Sequence, residues 1–156
     1  MVMINLVLDL DTGIDDAIAL SIAAKDKRVN LVGVTCTYGN VTVDESAYNT
    51  LALLSLLDRL DIPVYKGSDR ALNSTSPYIP HEAGRKIHGK KGSGNIVLKE
   101  SKRSIENTNA IDFLSSLMMK RDDITIITTG PMTNLASVLS SYPTLSSWKG
   151  KVIFMG

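Results

Sequence analysis

Residues 4–20 read INLVLDLDTGIDDAIAL and join a short apolar run, a turn and the start of a helix. The run at 4–9 is rich in β-forming side chains and has the length of a buried parallel strand. Thr12-Gly13 predicts a turn, and from Asp15 onward apolar side chains recur at helical spacing behind two acids that favour a helix N-terminus. This stretch therefore predicts the opening β-α unit of an α/β fold.

The rest of the chain repeats the alternation of strand and helix. We predict further strands at 31–37, 62–65, 124–129 and 151–156, and helices at about 43–60, at 109–120 and from Thr133 onward. We expect Asp58 to lie on the second helix and Tyr142 to point inward from the last one. The pattern predicts a doubly wound, mainly parallel sheet with helices on both faces. Such sheets bind ligands at the carboxyl ends of their strands.

The organisation expected is one α/β domain over 1–156, interrupted by a long loop region at 67–103. That region includes the glycine- and lysine-rich stretch HGKKGSGN, residues 88–95. Structureless loops of this length are unusual in compact domains and often carry function. We therefore predict an active-site loop there.

Composition argues against several classes of partner and location. The formal net charge is +1, which gives no electrostatic reason to expect nucleic acid or an anionic membrane as a partner. Cys36 is the only cysteine, so no internal disulfide is expected and a reducing cytoplasm is the natural setting. The apolar start is too short for a secretory signal or a membrane span. A soluble cytoplasmic domain is the expectation.

Four carboxylates follow the first strand within residues 9–16: Asp9, Asp11, Asp15 and Asp16. Two like charges at about 4 Å repel by about 4 kcal/mol at an effective dielectric constant near 20. The favourable interaction of an acidic side chain with a helix N-terminus offsets only about 0.3–1 kcal/mol of this repulsion. A bound hard cation resolves this imbalance better, and oxygen-only ligands favour Ca²⁺ or Mg²⁺ over zinc. The alternative is that Asp15 caps the helix and the other acids are solvated.

A phosphatase of the haloacid dehalogenase type is another interpretation of the Asp-x-Asp that follows an apolar strand. Asp9 would then be the nucleophile, and Thr128 or Thr129 would supply the hydroxyl at a later strand end. The order Thr12-Gly13 is reversed relative to the Gly-Thr usual in those enzymes, and the Asp15-Asp16 pair is not expected there.

Three further features are candidates for the same edge of the sheet. Asn40 follows the second strand, although Gly-Asn is also ordinary turn chemistry. The stretch TTGPMTN at 128–134 offers a free backbone carbonyl and a new helix N-terminus, although Thr133 could be a plain N-cap. His88 lies in the long loop and could contact a substrate base, or it could simply face solvent.

Together these features resemble the inosine-uridine-preferring nucleoside hydrolase family. The matching segments are DLDTGIDDAIAL (9–20), TYGN (37–40), IHG (87–89), TTGPMTN (128–134) and KVIFMG (151–156). The family often has Pro where Thr12 stands, and Lys90-Lys91 replace its usual acidic or small residue after His-Gly. The resemblance implies hydrolysis of the N-glycosidic bond of ribonucleosides to free base and ribose.

The resemblance also implies a cofactor and a role for each candidate residue. Ca²⁺ would be held by the side chains of Asp11 and Asp16 and by the backbone carbonyl of Thr129. Asp11 would also act as general base toward the water that the cation carries, and Asp9 would support the site from behind the ligands.

The same resemblance implies substrate contacts and a limit on activity. Asp15 and Asn40 would hold ribose hydroxyls, and His88 would approach the base. Family members are about twice this length, and their C-terminal half supplies another metal-ligating aspartate, more ribose contacts and the leaving-group acid. We therefore expect little or no activity from this chain alone. A non-catalytic remnant or a subunit of a split hydrolase is the alternative, and full-length members are expected to be homo-oligomers.

Overall fold

The computed structural model describes residues 3–94 and 96–155, so the last residue of the strand expected at 151–156 lies outside the described residues. The strands are β1 (Ile4–Leu10), β2 (Val29–Cys36), β3 (Val64–Lys66), β4 (Ile124–Thr128) and β5 (Lys151–Phe154). The helices are α1 (Ile14–Lys25), α2 (Val43–Leu56), α3 (Glu82–His88), α4 (Ala110–Lys120) and α5 (Thr133–Ser141), with a 3₁₀ turn at Pro143–Ser147.

All five strands form one parallel sheet in the order β3-β2-β1-β4-β5. The chain moves outward from β1 to β2 and β3, then returns to the other side of β1 to add β4 and β5. The strand order therefore reverses direction between β1 and β4, and ligands bind at such a switch point in open α/β sheets. The predicted doubly wound fold is confirmed.

The core has two layers because side chains along β1 alternate between the faces of the sheet. Leu6, Leu8 and Leu10 pack in one cluster that includes buried residues of α1 and α2. Val7 faces the other way and packs in a second cluster with buried residues of α4 and α5. The helices therefore cover both faces, as the alternation of strands and helices predicts.

Three details differ from the sequence predictions. Helix α2 ends at Leu56, because Asp58 adopts a left-handed backbone with φ of 54° and turns the chain toward β3. Tyr142 is 37% exposed and follows the end of α5, so it does not point inward. The region 67–103 contains the short helix α3 and is therefore not entirely loop.

The outer strand β5 is exposed along its length. Val152, Ile153 and Phe154 are 38%, 52% and 62% exposed, so apolar side chains face solvent at this edge. Within the described part of the chain, no helix combines the length and the hydropathy needed to cross a membrane.

Candidate functional site

Polar residues follow three neighbouring strands at the carboxyl edge of the sheet. Asp11 follows β1, Asn40 lies beyond the end of β2, and Thr129 comes directly after β4. The backbone N–H of Thr129 donates to the carbonyl of Asp9 over 3.0 Å, which ties the end of β4 to the end of β1. The fold thus brings the sequence-predicted candidates to one crevice beside the switch point.

The centre of the crevice is a pair of buried carboxylates, Asp11 and Asp16, which are 6% and 1% exposed. The backbone N–H of Asn40 donates to Asp11 Oδ2 over 2.6 Å. Burial, and then the neighbouring Asp16 carboxylate, raise the pKa of Asp11 to about 7. None of the ion pairs among the described residues includes either carboxylate. The pair is therefore left without a compensating cationic side chain in that part of the chain.

Asp16 is held at the start of α1 and at the end of β4. Its Oδ2 accepts from the backbone N–H of Gly13 over 2.7 Å, and its Oδ1 accepts from the hydroxyl of Thr129. Asp16, and not Asp15, therefore contacts the turn at the N-terminus of α1, which corrects the alternative in which Asp15 caps the helix. Thr133 is not an N-cap either, because Met132 holds that position and the Thr133 hydroxyl contacts the Tyr38 hydroxyl at 2.9 Å.

Two glycines let the backbone approach Asp11 closely. A Cβ atom at Gly39 would lie 2.1 Å from Asp11 Oδ2, and the φ of Gly39, +155°, is one that other residues rarely adopt. A Cβ atom at Gly130 would lie 2.9 Å from the Cβ of Asp11. The backbone at Gly39 and at Gly130 therefore packs directly against the Asp11 side chain, with no other side chain in between.

The donor set fits a hard cation. Asp11 and Asp16 supply carboxylate oxygens, the type of ligand that Ca²⁺ and Mg²⁺ prefer, and Thr129-Gly130 supplies backbone next to Asp11. A cation between two buried like charges also removes the repulsion that raises the pKa of Asp11. Over residues 3–94 and 96–155, no group of three or more His, Cys, Asp or Glu side chains is arranged to hold a metal. A complete shell of six to eight oxygens would therefore need carbonyls and waters in addition to the two carboxylates.

Asp15, Asn40 and His88 meet at the open side of the crevice. Asp15 is half exposed, and its Oδ1 lies 3.5 Å from His88 Nδ1. The backbone N–H of Ile14 donates to His88 Nδ1 over 3.2 Å. A Cβ atom at Gly13 would lie 2.7 Å from His88 Nδ1 and 2.8 Å from Asn40 Nδ2. The loop histidine is thus packed against the start of α1, beside Asp15 and Asn40, the two residues for which the family resemblance implies ribose contacts.

Asp9 lies under this crevice and is fully buried. Its Oδ1 accepts from the Thr35 hydroxyl over 2.6 Å and from the Asn134 amide over 2.8 Å, whereas its Oδ2 has no hydrogen-bond partner among the described residues. Burial, opposed by these two hydrogen bonds, raises the pKa of Asp9 to about 6. A carboxylate enclosed in this way cannot reach a phosphate ester, which argues against the phosphatase alternative.

Sequence reasoning missed several residues of this buried network. Asn134 lies within the TTGPMTN motif and Thr35 within the second predicted strand, and the sequence predicts no role for either of them. The feature that could have revealed them is a polar side chain within a segment that is otherwise apolar. Thr35 and Asn134 are both 0% exposed. Buried polar groups are nearly always hydrogen-bonded, so such positions point to a network.

The comparison with known families identifies the chain. A family model described as inosine-uridine preferring nucleoside hydrolase matches residues 6–156. The chain belongs to this family. The resemblance drawn from the sequence motifs is confirmed.

Relatives within the nucleoside hydrolase family agree in sequence and in structure. The pyrimidine-specific ribonucleoside hydrolase RihA of Escherichia coli O1:K1 is 32% identical over 152 residues, which cover 97% of this chain and 47% of that relative. The solved structure of a purine-preferring ribonucleoside hydrolase from Gardnerella vaginalis is 37% identical with a TM-score of 0.93, over 97% of this chain and 48% of that one. A plant nucleoside hydrolase is 33% identical with a TM-score of 0.88, over 97% of this chain and 47% of that one. The chain spans about half the length of the relatives it matches.

Proposed function

We propose that this chain forms half of the active site of a ribonucleoside hydrolase, which cleaves the N-glycosidic bond to release free base and ribose. The observation that carries the proposal is the buried Asp11–Asp16 pair at the switch point of a nucleoside hydrolase fold. The names of its relatives support ribonucleosides as the substrate class. One of those names specifies pyrimidine and another specifies purine, so the proposal extends to both kinds of base.

Asp11, Asp16 and the carbonyl of Thr129 are the residues that would hold Ca²⁺. When bound, a divalent cation lowers the pKa of a coordinated water and orients that water toward the reacting carbon. Asp11 would serve as the general base toward the attacking water, a role worth about 10²–10⁴-fold in rate. The N–H of Asn40 donates to Asp11 Oδ2 and so holds this carboxylate in place at the edge of the sheet.

Asp15 and Asn40 are assigned to the ribose hydroxyls and His88 to the base. Asp15 is 54% exposed in its side chain, so a sugar hydroxyl can reach it from solvent. Loss of the glycosidic bond builds positive charge on the ribose ring, as in other glycoside hydrolyses. Carboxylates fixed beside the ring stabilise that charge without reorganising. His88, on the loop region 67–103, then covers the site from the side of α1.

We propose that the remaining residues of the active site come from polypeptide equivalent to the half of the relatives that this chain does not match. We propose that residues 1–156 form one domain, since a single sheet carries an apolar core cluster on each of its faces. Exposed apolar side chains on β5 favour a further sheet partner, either in the same polypeptide or in a separate subunit of a split hydrolase. A cytoplasmic location and a homo-oligomeric full-length enzyme complete the proposal.

The test is release of ribose from inosine and from uridine by the purified chain, with millimolar Ca²⁺ and with chelator. Nucleoside binding is measured in parallel by titration calorimetry, and circular dichroism confirms that each sample is folded. The matched control is Asp11→Ala. Calcium-dependent nucleoside binding or ribose release that disappears in Asp11→Ala supports the proposal. A folded wild-type chain that shows no calcium-dependent nucleoside binding contradicts it, whereas binding without ribose release is the result expected of half an active site.

A further inference from the structure

One side chain beneath the crevice connects three strand ends at once. The side-chain Nδ2 of Asn134 donates to Asp9 Oδ1 over 2.8 Å and to the carbonyl of Cys36 over 3.2 Å. Its Oδ1 accepts from the backbone N–H of Ser68 over 2.8 Å. The amide therefore links β1, the end of β2 and the segment that follows β3.

The position of Asn134 in the chain makes this link relevant to the crevice. It is the second residue of α5, and the turn that precedes the helix begins at Thr129. Thr129 is bonded to Asp9 through its backbone N–H and to Asp16 through its hydroxyl. At the start of the turn, the backbone N–H of Thr129 donates to the carbonyl of Asp9. Just after the turn, the Asn134 amide donates to the carboxylate of Asp9, so both ends of the turn are bonded to the same residue.

The Asn134 side chain is tightly enclosed by its neighbours. Asn134 is fully buried, and a Cβ atom at Gly67 would lie 2.2 Å from Asn134 Oδ1 and 2.4 Å from its Nδ2. Three of the four hydrogen bonds that an amide side chain can make are satisfied. A fully packed amide with most of its bonds made has one orientation, so it can fix the residues around it.

We propose that Asn134 is a positioning residue that holds the 129–133 turn against Asp9 and so sets the Thr129 oxygens relative to the Asp11–Asp16 pair. This inference rests on the cation site of the proposed function. Partners of this kind, one step behind the ligands, alter metal affinity by about 10–100-fold when they are removed. The amide itself touches neither the cation nor the substrate.

The experiment is titration calorimetry with CaCl₂ on the chain, at a temperature well below the unfolding of every variant. Asn134→Ala is expected to lower the calcium affinity by about 10–100-fold. The matched control is Val138→Ala, because Val138 is fully buried on the same helix but belongs to the apolar cluster and not to this network. That control should lose stability in chelator and keep the wild-type affinity.

A merely structural role gives a different result. Asn134→Ala would then lower the melting temperature in chelator, as Val138→Ala does, and leave the calcium affinity unchanged, which would overturn the assignment. Should Asn134→Ala fail to fold, Gly67→Ala disturbs the same link, because its Cβ would crowd both the Asn134 amide and the Cys36 carbonyl to which that amide donates, and an unchanged affinity there overturns the assignment as well. A wild-type chain that binds no calcium refutes the cation site, and this inference with it.

Discussion

Replacing Asp11 with Asn should stabilise the chain in chelator and remove its response to calcium. The raised pKa of Asp11, about 7 against an ordinary 3.8, means that the folded state disfavours the ionised carboxylate. One pKa unit corresponds to about 1.4 kcal/mol, so ionised Asp11 costs the metal-free fold up to about 4 kcal/mol above pH 7. Asn is neutral, and its oxygen can still accept from the N–H of Asn40.

The sign of the pH dependence follows from the same value. Between pH 3.8 and 7 the folded chain binds more protons at Asp11 than the unfolded chain does. Its free energy of unfolding therefore falls as the pH rises through this window, and Asp11→Asn should reduce that fall. At pH 8 in chelator the variant should melt roughly 8–16 °C above the wild type, at about 2–4 °C per kcal/mol for a chain of this size.

Calcium should narrow the stability difference between the two proteins. At 100 times its dissociation constant, a ligand stabilises the protein that binds it by about 2.7 kcal/mol. The wild type should gain this stability at pH 8, and Asp11→Asn should gain none. Differential scanning calorimetry at several pH values, with and without calcium, measures both effects. Asp122→Asn, which changes an exposed carboxylate, is the control. The reasoning fails if Asp11→Asn is no more stable than the wild type in chelator.

Three further changes have distinct expected outcomes. Gly39→Ala should abolish the calcium-dependent rise in melting temperature, because its Cβ would lie 2.1 Å from Asp11 Oδ2; a rise equal to that of the wild type would contradict this. His88→Ala should speed hydrogen exchange of the Ile14 amide, which loses its acceptor, and leave calcium affinity unchanged; an unchanged exchange rate would show that the loop does not rest there. Leu114→Ala should cost about 2–5 kcal/mol in urea unfolding, since this side chain is fully buried between α4 and the sheet, and a loss well under 1 kcal/mol would contradict that packing.

The first β-α unit could be predicted from the sequence because its signals are local. An apolar run and an acid pair each specify their own structure within a few residues, and β1 and α1 lie within one residue of the predicted starts. The turn predicted at Thr12-Gly13 is absent, because Gly13 has an extended backbone as the N-cap of α1. The end of α2 was less predictable. Its sequence continues in good helix-forming residues to Leu60, whereas the left-handed conformation of Asp58 depends on where the chain must go next.

The crevice was predictable in its residues but not in its connections. Alternation along β1 and the parallel topology are enough to bring Asp11, Asn40 and Thr129 to one edge. The roles of Asp16 and Asn134 depend on contacts between residues more than 100 positions apart, such as the bond from Asn134 to Asp9. No local pattern encodes such a pairing, so these contacts could be found only in the fold.

The most direct test of the account is the location of a bound cation in crystals soaked with CaCl₂ or with a terbium salt. We predict an anomalous difference peak about 2.3–2.6 Å from side-chain oxygens of Asp11 and Asp16 and from the carbonyl of Thr129. The peak should be absent in crystals of Asp16→Asn. A fully soaked wild-type crystal with no peak between these residues, or a peak that persists unchanged in Asp16→Asn, would contradict the central claim that this edge of the sheet is a cation site.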